Sequence, residues 1–164
     1  LGARWEFLAW NAAEARLYPR IEQLEGIERN LLWVLFADPA TRELIVDWDI
    51  HARQALAEFR AGTSALGGGA PGSPVSSVRT DPMLAELVRR LSEASTEFAT
   101  WWAEHDVAAF ETRLRRFRHP AAGELTFEYQ LVVPAEWPGL RVVAQLPVPG
   151  DDSAQRLAVR RYLV

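Results

Sequence analysis

The chain has 164 residues, 49% of them hydrophobic and 24% charged, which is enough for one folded domain with a core. Its net charge of −4 argues against direct binding to nucleic acid, because phosphate-binding surfaces carry a basic excess. The absence of cysteine excludes disulfides, and no apolar run reaches the roughly 18 residues of a membrane span. We therefore expect a single cytoplasmic domain over residues 1–164 with no membrane partner.

The N-terminal part is predicted to start with a strand and to continue as helices. Residues 5–10 are mostly aromatic and aliphatic, which favours a strand. Asn11 then caps a short helix over residues 12–18, which Pro19 ends. A second helix is expected over residues 28–37, where four apolar side chains share one face.

The middle of the chain is predicted to be helical, with one interruption. Asp38-Pro39 predicts a helix start, because Asp is a favoured N-cap and Pro a favoured first residue. We expect this helix to bend and continue to about Phe59. Residues 62–80 are rich in Gly, Ser and Pro and are predicted to form a mobile surface loop. Asp81-Pro82 repeats the helix-start signal, and Ser95 caps a further short helix.

The C-terminal part is predicted to form an antiparallel meander. A strand over residues 113–119 leads into a tight turn, in which Gly123 suits a positive φ. Residues 125–133 alternate between apolar and polar side chains and give the clearest strand signal. Residues 140–148 predict another strand, and residues 151–164 a short terminal helix. Together these elements predict an α+β domain with an antiparallel sheet.

This order resembles that of Per-Arnt-Sim (PAS) domains. Residues 5–13, with Leu17-Tyr18 after them, are similar to the second PAS strand and the first PAS helix. The resemblance implies a PAS-like antiparallel sheet with several helices inserted between the N-terminal strand and the C-terminal meander. It also implies that the first PAS strand precedes Leu1, so that this strand is truncated here.

A narrower resemblance covers nearly the whole chain and points to the ligand-binding domain of MmyB-like transcription regulators. The departures are Trp33 and Thr96, where members usually carry Arg and Pro, and a longer glycine-rich loop. The segments that carry the resemblance are Asn30-Leu31-Leu32, Leu35-Phe36, Asp38-Pro39, Asp47-Trp48, Asp81-Pro82, Ser95-Thr96-Glu97-Phe98, Trp102, His105-Asp106-Val107, His119-Pro120, Gly123-Glu124-Leu125 and Pro149-Gly150.

The resemblance implies a sensory domain and not an enzyme. It implies an N-terminal helix-turn-helix of the XRE type, absent from this chain, through which alone the regulator contacts DNA. It also implies a lipophilic ligand such as a fatty acid, and a source among the actinobacteria. We expect no cofactor, because phosphate-loop, dinucleotide-binding and metal-helix motifs are missing. The three histidines are too scattered to predict a metal site.

The candidate ligand site is an apolar cavity between the sheet and the helices over residues 28–37, 47–59 and 96–104. The alternative is that the same side chains are ordinary core, since aromatic residues dominate cores. Small Ala52, one turn from Trp48, is expected to leave room for the ligand. The residues predicted to line the site are Leu32, Phe36, Trp48, Ala52, Arg53, Leu56, Phe98, Trp101, Trp102, His105, Phe117, Phe127 and Tyr129.

The polar candidates have simpler interpretations as well. His105-Asp106 suggests a catalytic dyad, but adjacent residues rarely face one another, so a structural role is favoured. Arg113, Arg115, Arg116 and Arg118 could contact DNA phosphates or a ligand carboxylate, or form a solvated strand face, which we favour on an acidic chain. Arg53 is a candidate carboxylate partner or half of a surface ion pair.

A second hypothesis is a PAS-type dimerisation module with a filled core and no ligand. Val132 and Val143, on the less apolar faces of their strands, are the candidate patch for a homodimer. A third hypothesis, an enzyme, requires a polar cluster in a cleft that the sequence does not indicate.

Overall fold

The structure, a computed structural model, describes residues 1–66, 81–104 and 114–158. These residues form seven α-helices and a three-stranded antiparallel sheet in the order β1-β2-β3, so the predicted α+β class and the antiparallel meander are confirmed. Two short 3-10 turns lie at Ile21–Gln23 and Gly26–Glu28. The helices are α1 (Ala12–Leu17), α2 (Leu31–Ala37), α3 (Pro39–Leu44), α4 (Trp48–Leu66), α5 (Pro82–Ala94), α6 (Thr96–Glu104) and α7 (Ser153–Ala158), and the strands are β1 (Leu114–His119), β2 (Gly123–Val132) and β3 (Val142–Pro147).

The prediction of an N-terminal strand over residues 5–10 is wrong. This segment forms only an isolated bridge, between Glu6 and Asn30, and joins no sheet. Its hydrogen bonds go to the start of α2 instead: the Leu31 N–H donates to the Trp5 carbonyl over 3.0 Å. Trp5 has a φ of +66°, which is incompatible with a continuous strand, and its buried ring packs on Phe59. Burial of the aromatic rings, and not ladder pairing, explains the apolar composition.

The predicted helix caps are confirmed. Asn11 Oδ1 accepts a hydrogen bond from the Glu14 N–H at the start of α1. Asp38 and Asp81 cap α3 and α5 in the same way, each followed by proline at the first helical position. The second helix is shorter than the predicted 28–37, because Asn30 caps it and α2 begins at the next residue.

The predicted bent helix from Pro39 to Phe59 is two separate helices. Between them Ile45 forms a bridge with Phe117, and the Val46 N–H donates to the Arg116 carbonyl over 2.9 Å. Asp47, with a φ of +56°, reverses the chain before α4. The Val46 N–H therefore bonds to strand β1 and not to a carbonyl one turn earlier, as it would in a continuous helix.

The predicted start of the mobile loop at residue 62 is also wrong, because α4 continues to Leu66. The side chain of Arg141 packs directly over Gly62 in this helix, and a Cβ at this position would collide with it. The rest of that predicted loop, residues 67–80, lies outside the described residues.

The sheet has one face toward the helices and one toward solvent. On β1, burial alternates strictly, with Arg115, Phe117 and His119 inside. His119 accepts hydrogen bonds at Nδ1 from Ala121 and Ala122, which stabilises the turn between β1 and β2. The register pairs Val132 with Val142 and Leu131 with Val143. The predicted outer patch is therefore wrong for Val143, whose side chain shares the inner face with Leu131.

Candidate ligand-binding site

Most of the predicted aromatic lining residues lie together between α2, α4 and α6. The ring centroid of Phe36 is 5.7 Å from Trp48, 5.1 Å from Phe98 and 5.9 Å from Trp101. Trp102 stacks on Phe98 at 5.6 Å. We call these five side chains the aromatic cluster. Helices α2, α4 and α6 bring these rings into contact. Phe36 packs edge to face on three neighbours, a geometry that aromatic pairs prefer, whereas Phe98 and Trp102 stack.

The other predicted residues of the helices surround this cluster. Leu32, Ala52 and Leu56 are almost completely buried, and Ala52 has no exposed surface. Arg53 stacks over Trp101 at 4.0 Å and pairs with Glu104 at 3.7 Å, which accounts for its charge at the surface. His105, with the predicted His105-Asp106 pair, lies outside the described residues.

The predicted sheet residues form a separate group. Phe117, Phe127 and Tyr129 are all buried on the inner face. The rings of Phe117 and Phe127 are 6.1 Å apart, and Tyr18 packs against Phe117 from the end of α1. Tyr129 instead contacts a charged neighbour, Arg115.

Arg115 is the most unusual side chain of the inner face. It is 1% exposed, and its guanidinium lies 3.6 Å from the ring centroid of Tyr129. Within the described part of the chain its buried Nε and Nη2 have no hydrogen-bond partner and it forms no ion pair. Hydrogen bonding by Arg115 nevertheless helps to lower the pKa of the Tyr18 and Tyr129 hydroxyls, against the effect of burial. The solvated face favoured for the four arginines is thus correct for Arg116 and Arg118, which are exposed, and wrong for Arg115, while Arg113 lies outside the described residues.

Helix α4 contributes polar groups to the same region through a second face. His51, Gln54 and Glu58 follow helical spacing, and this face is separate from the one that carries Trp48, Ala52 and Leu56. Gln54 Nε2 donates to Glu58 Oε1 over 3.0 Å. Among the residues that the structure describes, no hydrogen-bond partner is found for the buried atoms His51 Nδ1, Gln54 Oε1, Glu58 Oε2 and the Tyr129 hydroxyl.

The charge of Arg115 reaches titratable groups on three neighbouring elements. Burial raises the pKa of Glu14 to about 7, and Arg115 opposes that rise. Burial lowers the pKa of His51 to about 4, and Arg115 lowers it further. Burial likewise raises the pKa of Glu58, and that of Tyr129 to about 12, again against the effect of Arg115. We call Arg115, Glu14, His51, Glu58 and Tyr129 the polar cluster.

A groove of about 600 Å³ runs beside this cluster. Its walls are the segment before α1, one side of α1, Phe127 of β2, residues 140–146 and Leu157 of α7. A smaller cavity of about 200 Å³ lies between Tyr18, Ile21 and α3. The larger volume falls within the range of small-molecule sites, roughly 300–1,000 Å³.

Two side chains connect the groove with the polar cluster. Glu14 lines the groove and lies near enough to Arg115 for the guanidinium to affect its pKa. Gln145 also lines the groove, lies opposite Tyr129 in the β2–β3 ladder, and has a buried Oε1 without a partner. The inner wall of the groove is therefore polar, whereas Phe7, Leu17 and Leu157 make other parts of it apolar.

Sequence reasoning missed Glu14, His51 and Glu58 and did not place Arg115 inside. A signal existed for Arg115, because it lies two residues before Phe117, which was predicted to face the ligand, and strand side chains alternate. Glu14 carried no comparable signal, since its helix has only six residues.

Comparison with protein families gives one result. Residues 1–159 match the family described as the MmyB-like transcription regulator ligand binding domain. The chain belongs to this family. It is accordingly a ligand-binding domain of a transcription regulator, as the sequence motifs indicated. No curated protein and no solved structure matches the chain.

Two further properties of this MmyB-like ligand-binding domain bear on its site. Within residues 1–66, 81–104 and 114–158, no three or more His, Asp or Glu side chains converge to hold a metal ion. Over the same ranges, no helix has the length and apolarity needed to cross a membrane.

Proposed function

We propose that the domain senses a lipophilic small molecule such as a fatty acid. The groove beside α1 and β3 carries this proposal, because it offers about 600 Å³ with apolar wall residues at Phe7, Leu17 and Leu157. Each methylene buried there contributes about 0.8 kcal/mol, so that a chain of about ten carbons can repay its ordering cost. Chemistry on the ligand is not part of the proposal, and we expect neither catalysis nor a cofactor.

We infer that the regulator contacts DNA through a separate helix-turn-helix domain of the XRE type. The net charge of −4 on this chain supports the separation of DNA binding from ligand binding. A PAS-like arrangement, a cytoplasmic location and an actinobacterial source belong to the same proposal. Ligand binding then changes how the sensory domain meets the DNA-binding domain.

The aromatic cluster is the second location that we propose for the ligand. Ala52 is fully buried beside it, on the same face of α4 as Trp48. The two locations predict different effects of added bulk. Ala52→Phe should block binding at the aromatic cluster, whereas Ala13→Trp should block the groove, which Ala13 lines. Ala12→Trp is the matched control, since Ala12 is an exposed neighbour in α1 and is absent from the groove wall.

The experiment combines native mass spectrometry of the purified protein with titration by medium- and long-chain fatty acids. Tryptophan fluorescence also reports the location, because Trp10 lines the groove whereas Trp48 and Trp101 belong to the aromatic cluster. Loss of the signal in Trp10→Phe assigns the groove. If no fatty acid binds and no bound molecule is found by mass, the lipophilic ligand is contradicted.

A second candidate function, homodimerisation, has an observation of its own. The outer face of the sheet exposes Leu114, Val132, Val142 and Leu146, and the register places Val132 directly beside Val142. Such a patch suits pairing of two sheets. Val132→Asp should convert a dimer into a monomer in light scattering, whereas inward-facing Val143 is not part of the patch. A monomeric parent protein at high concentration would exclude this function.

A further inference from the structure

The smaller cavity, of about 200 Å³, is separate from the groove. It lies between residues 18–24, which follow α1, and helices α2 and α3. Its buried wall residues include Tyr18, Ile21, Val34 and Leu44. None of its wall residues lines the groove, so a molecule bound in one cavity leaves the wall of the other uncovered.

The polar wall residues of this cavity already have partners. The Asp38 carboxylate accepts hydrogen bonds from Arg20 Nη1 over 2.7 Å and from Thr41 Oγ1 over 2.8 Å. The hydroxyl of Tyr18 is hydrogen-bonded to Arg115, which does not line this cavity. The two charges in the wall therefore neutralise each other, and a charged ligand would lose its hydration there without gaining a counter-ion.

The volume limits the ligand to about the size of one ring. Apolar cavities of about 150 Å³ bind benzene, whereas sites for drug-sized ligands start at roughly 300 Å³. The ring of Tyr18 offers the kind of surface on which another aromatic ring packs. Pro19, Ala40 and Pro120 also belong to the wall and are exposed, so a ligand can reach the cavity from solvent.

We propose that this cavity is a second ligand site, which takes a small uncharged ring compound of the substituted-benzene class. The inference goes beyond the proposed function, because it requires neither the groove nor a fatty acid. A ligand in the cavity contacts residues 18–24 and α3 at the same time, and it therefore stabilises the folded arrangement of these two segments.

The test is NMR of the purified protein with isotope-labelled methyl groups, titrated with toluene, benzoate and benzylammonium. We expect intermolecular nuclear Overhauser effects from toluene to the methyl groups of Ile21, Val34 and Leu44. Both charged analogues should bind about tenfold or more weakly than toluene. An excess of decanoate should leave the toluene contacts in place, because the two cavities share no wall residue.

Ala40→Phe is the variant that fills the cavity. Ala40 belongs to the wall but is exposed, so the added ring should occupy ligand space without entering the core. We expect this variant to lose the toluene contacts and to bind decanoate as the parent protein does. Ala12→Phe is the matched control, because Ala12 is an exposed residue of α1 that belongs to neither wall, and it should keep the toluene contacts.

The outcomes separate this inference from the proposed function. If toluene makes no contact with these methyl groups, the second site is overturned, and binding of decanoate would leave the groove proposal intact. Binding of toluene without decanoate supports the second site and contradicts the lipophilic ligand of the groove. Equal affinity for toluene and benzoate overturns the selection of uncharged rings, and displacement of toluene by decanoate overturns the separation of the two sites. Should Ala40→Phe fail to fold, the contacts in the parent protein still locate the ligand.

Discussion

Helix α4 presents two buried faces, and they differ in how far their buried polar atoms have hydrogen-bond partners. Trp48, Ala52 and Leu56 lie on the first face, where Trp48 joins the aromatic cluster and its Nε1 donates to the Leu35 carbonyl over 2.7 Å. The second face carries His51 and Glu58 toward Arg115, and each has a buried polar atom with no hydrogen-bond partner in the described part of the chain. The first face is organised for packing, whereas the second carries unused hydrogen-bonding capacity.

This difference indicates where stability and function reside. Removing any ring from a closely packed aromatic cluster destabilises the fold, because the cavity left behind is not refilled. An unsatisfied polar cluster behaves in the opposite way, since removing a buried charge relieves a desolvation cost. Binding sites commonly contain such unsatisfied polar groups, because a bound ligand compensates for their desolvation.

The largest effect is expected on the packed face. Phe98 is fully buried between Phe36 and Trp102, so Phe98→Ala should lower the free energy of unfolding by about 3–5 kcal/mol. Urea denaturation measures the change. Met83→Ala, at an exposed position of α5, is the control and should change stability by less than about 0.5 kcal/mol. A loss for Phe98→Ala as small as that of the control would show that the cluster is loosely packed.

A smaller effect of opposite sign is expected on the polar side. Arg115→Met should raise the free energy of unfolding of the ligand-free domain by about 1–4 kcal/mol, because it replaces an unpaired buried charge with an apolar chain of similar volume. Thermal denaturation measures it as a higher Tm. Arg118→Met should leave the Tm nearly unchanged, since Arg118 is exposed. Destabilisation by Arg115→Met would mean that the guanidinium supports the fold and would remove the contrast between the two faces.

Sequence patterns predicted the packed face well. Helical spacing located Trp48, Ala52 and Leu56 on one face, and the caps at Asn11 and Asp81 fixed two helix starts. These signals are local, since they depend on residues within one or two turns. The family was recognisable from sequence for the same reason, because its short segments occur in order along the chain.

The polar cluster was not predictable in the same way. Arg115, Glu14 and Glu58 are far apart in the sequence, and only the sheet and two helices bring them together. The prediction for the N-terminal segment was wrong for a related reason. Apolar residues 5–10 have the composition of a strand, but they pair with the start of α2 at Asn30. Alternation alone would have placed Arg115 inside; its lack of a partner required the structure.

The smallest expected effect concerns Glu14 and depends on pH. Its pKa is raised from 4.5 to about 7 in the folded state, so between these values the folded chain binds more protons and stability falls as pH rises. Glu14→Gln stays neutral and should match the parent protein near pH 4 but exceed it near pH 8 by about 1 kcal/mol, a figure reduced for partial exposure. His51, whose pKa is lowered to about 4, adds stability as pH rises from 4 to 6.5, and this contribution cancels when the two proteins are compared at each pH. Thermal denaturation across this range measures the difference, with exposed Glu22→Gln as the control. Parallel stability curves for Glu14→Gln and the parent would show that the fold does not raise the pKa of Glu14, either because the carboxyl is solvated or because Arg115 offsets the effect of burial.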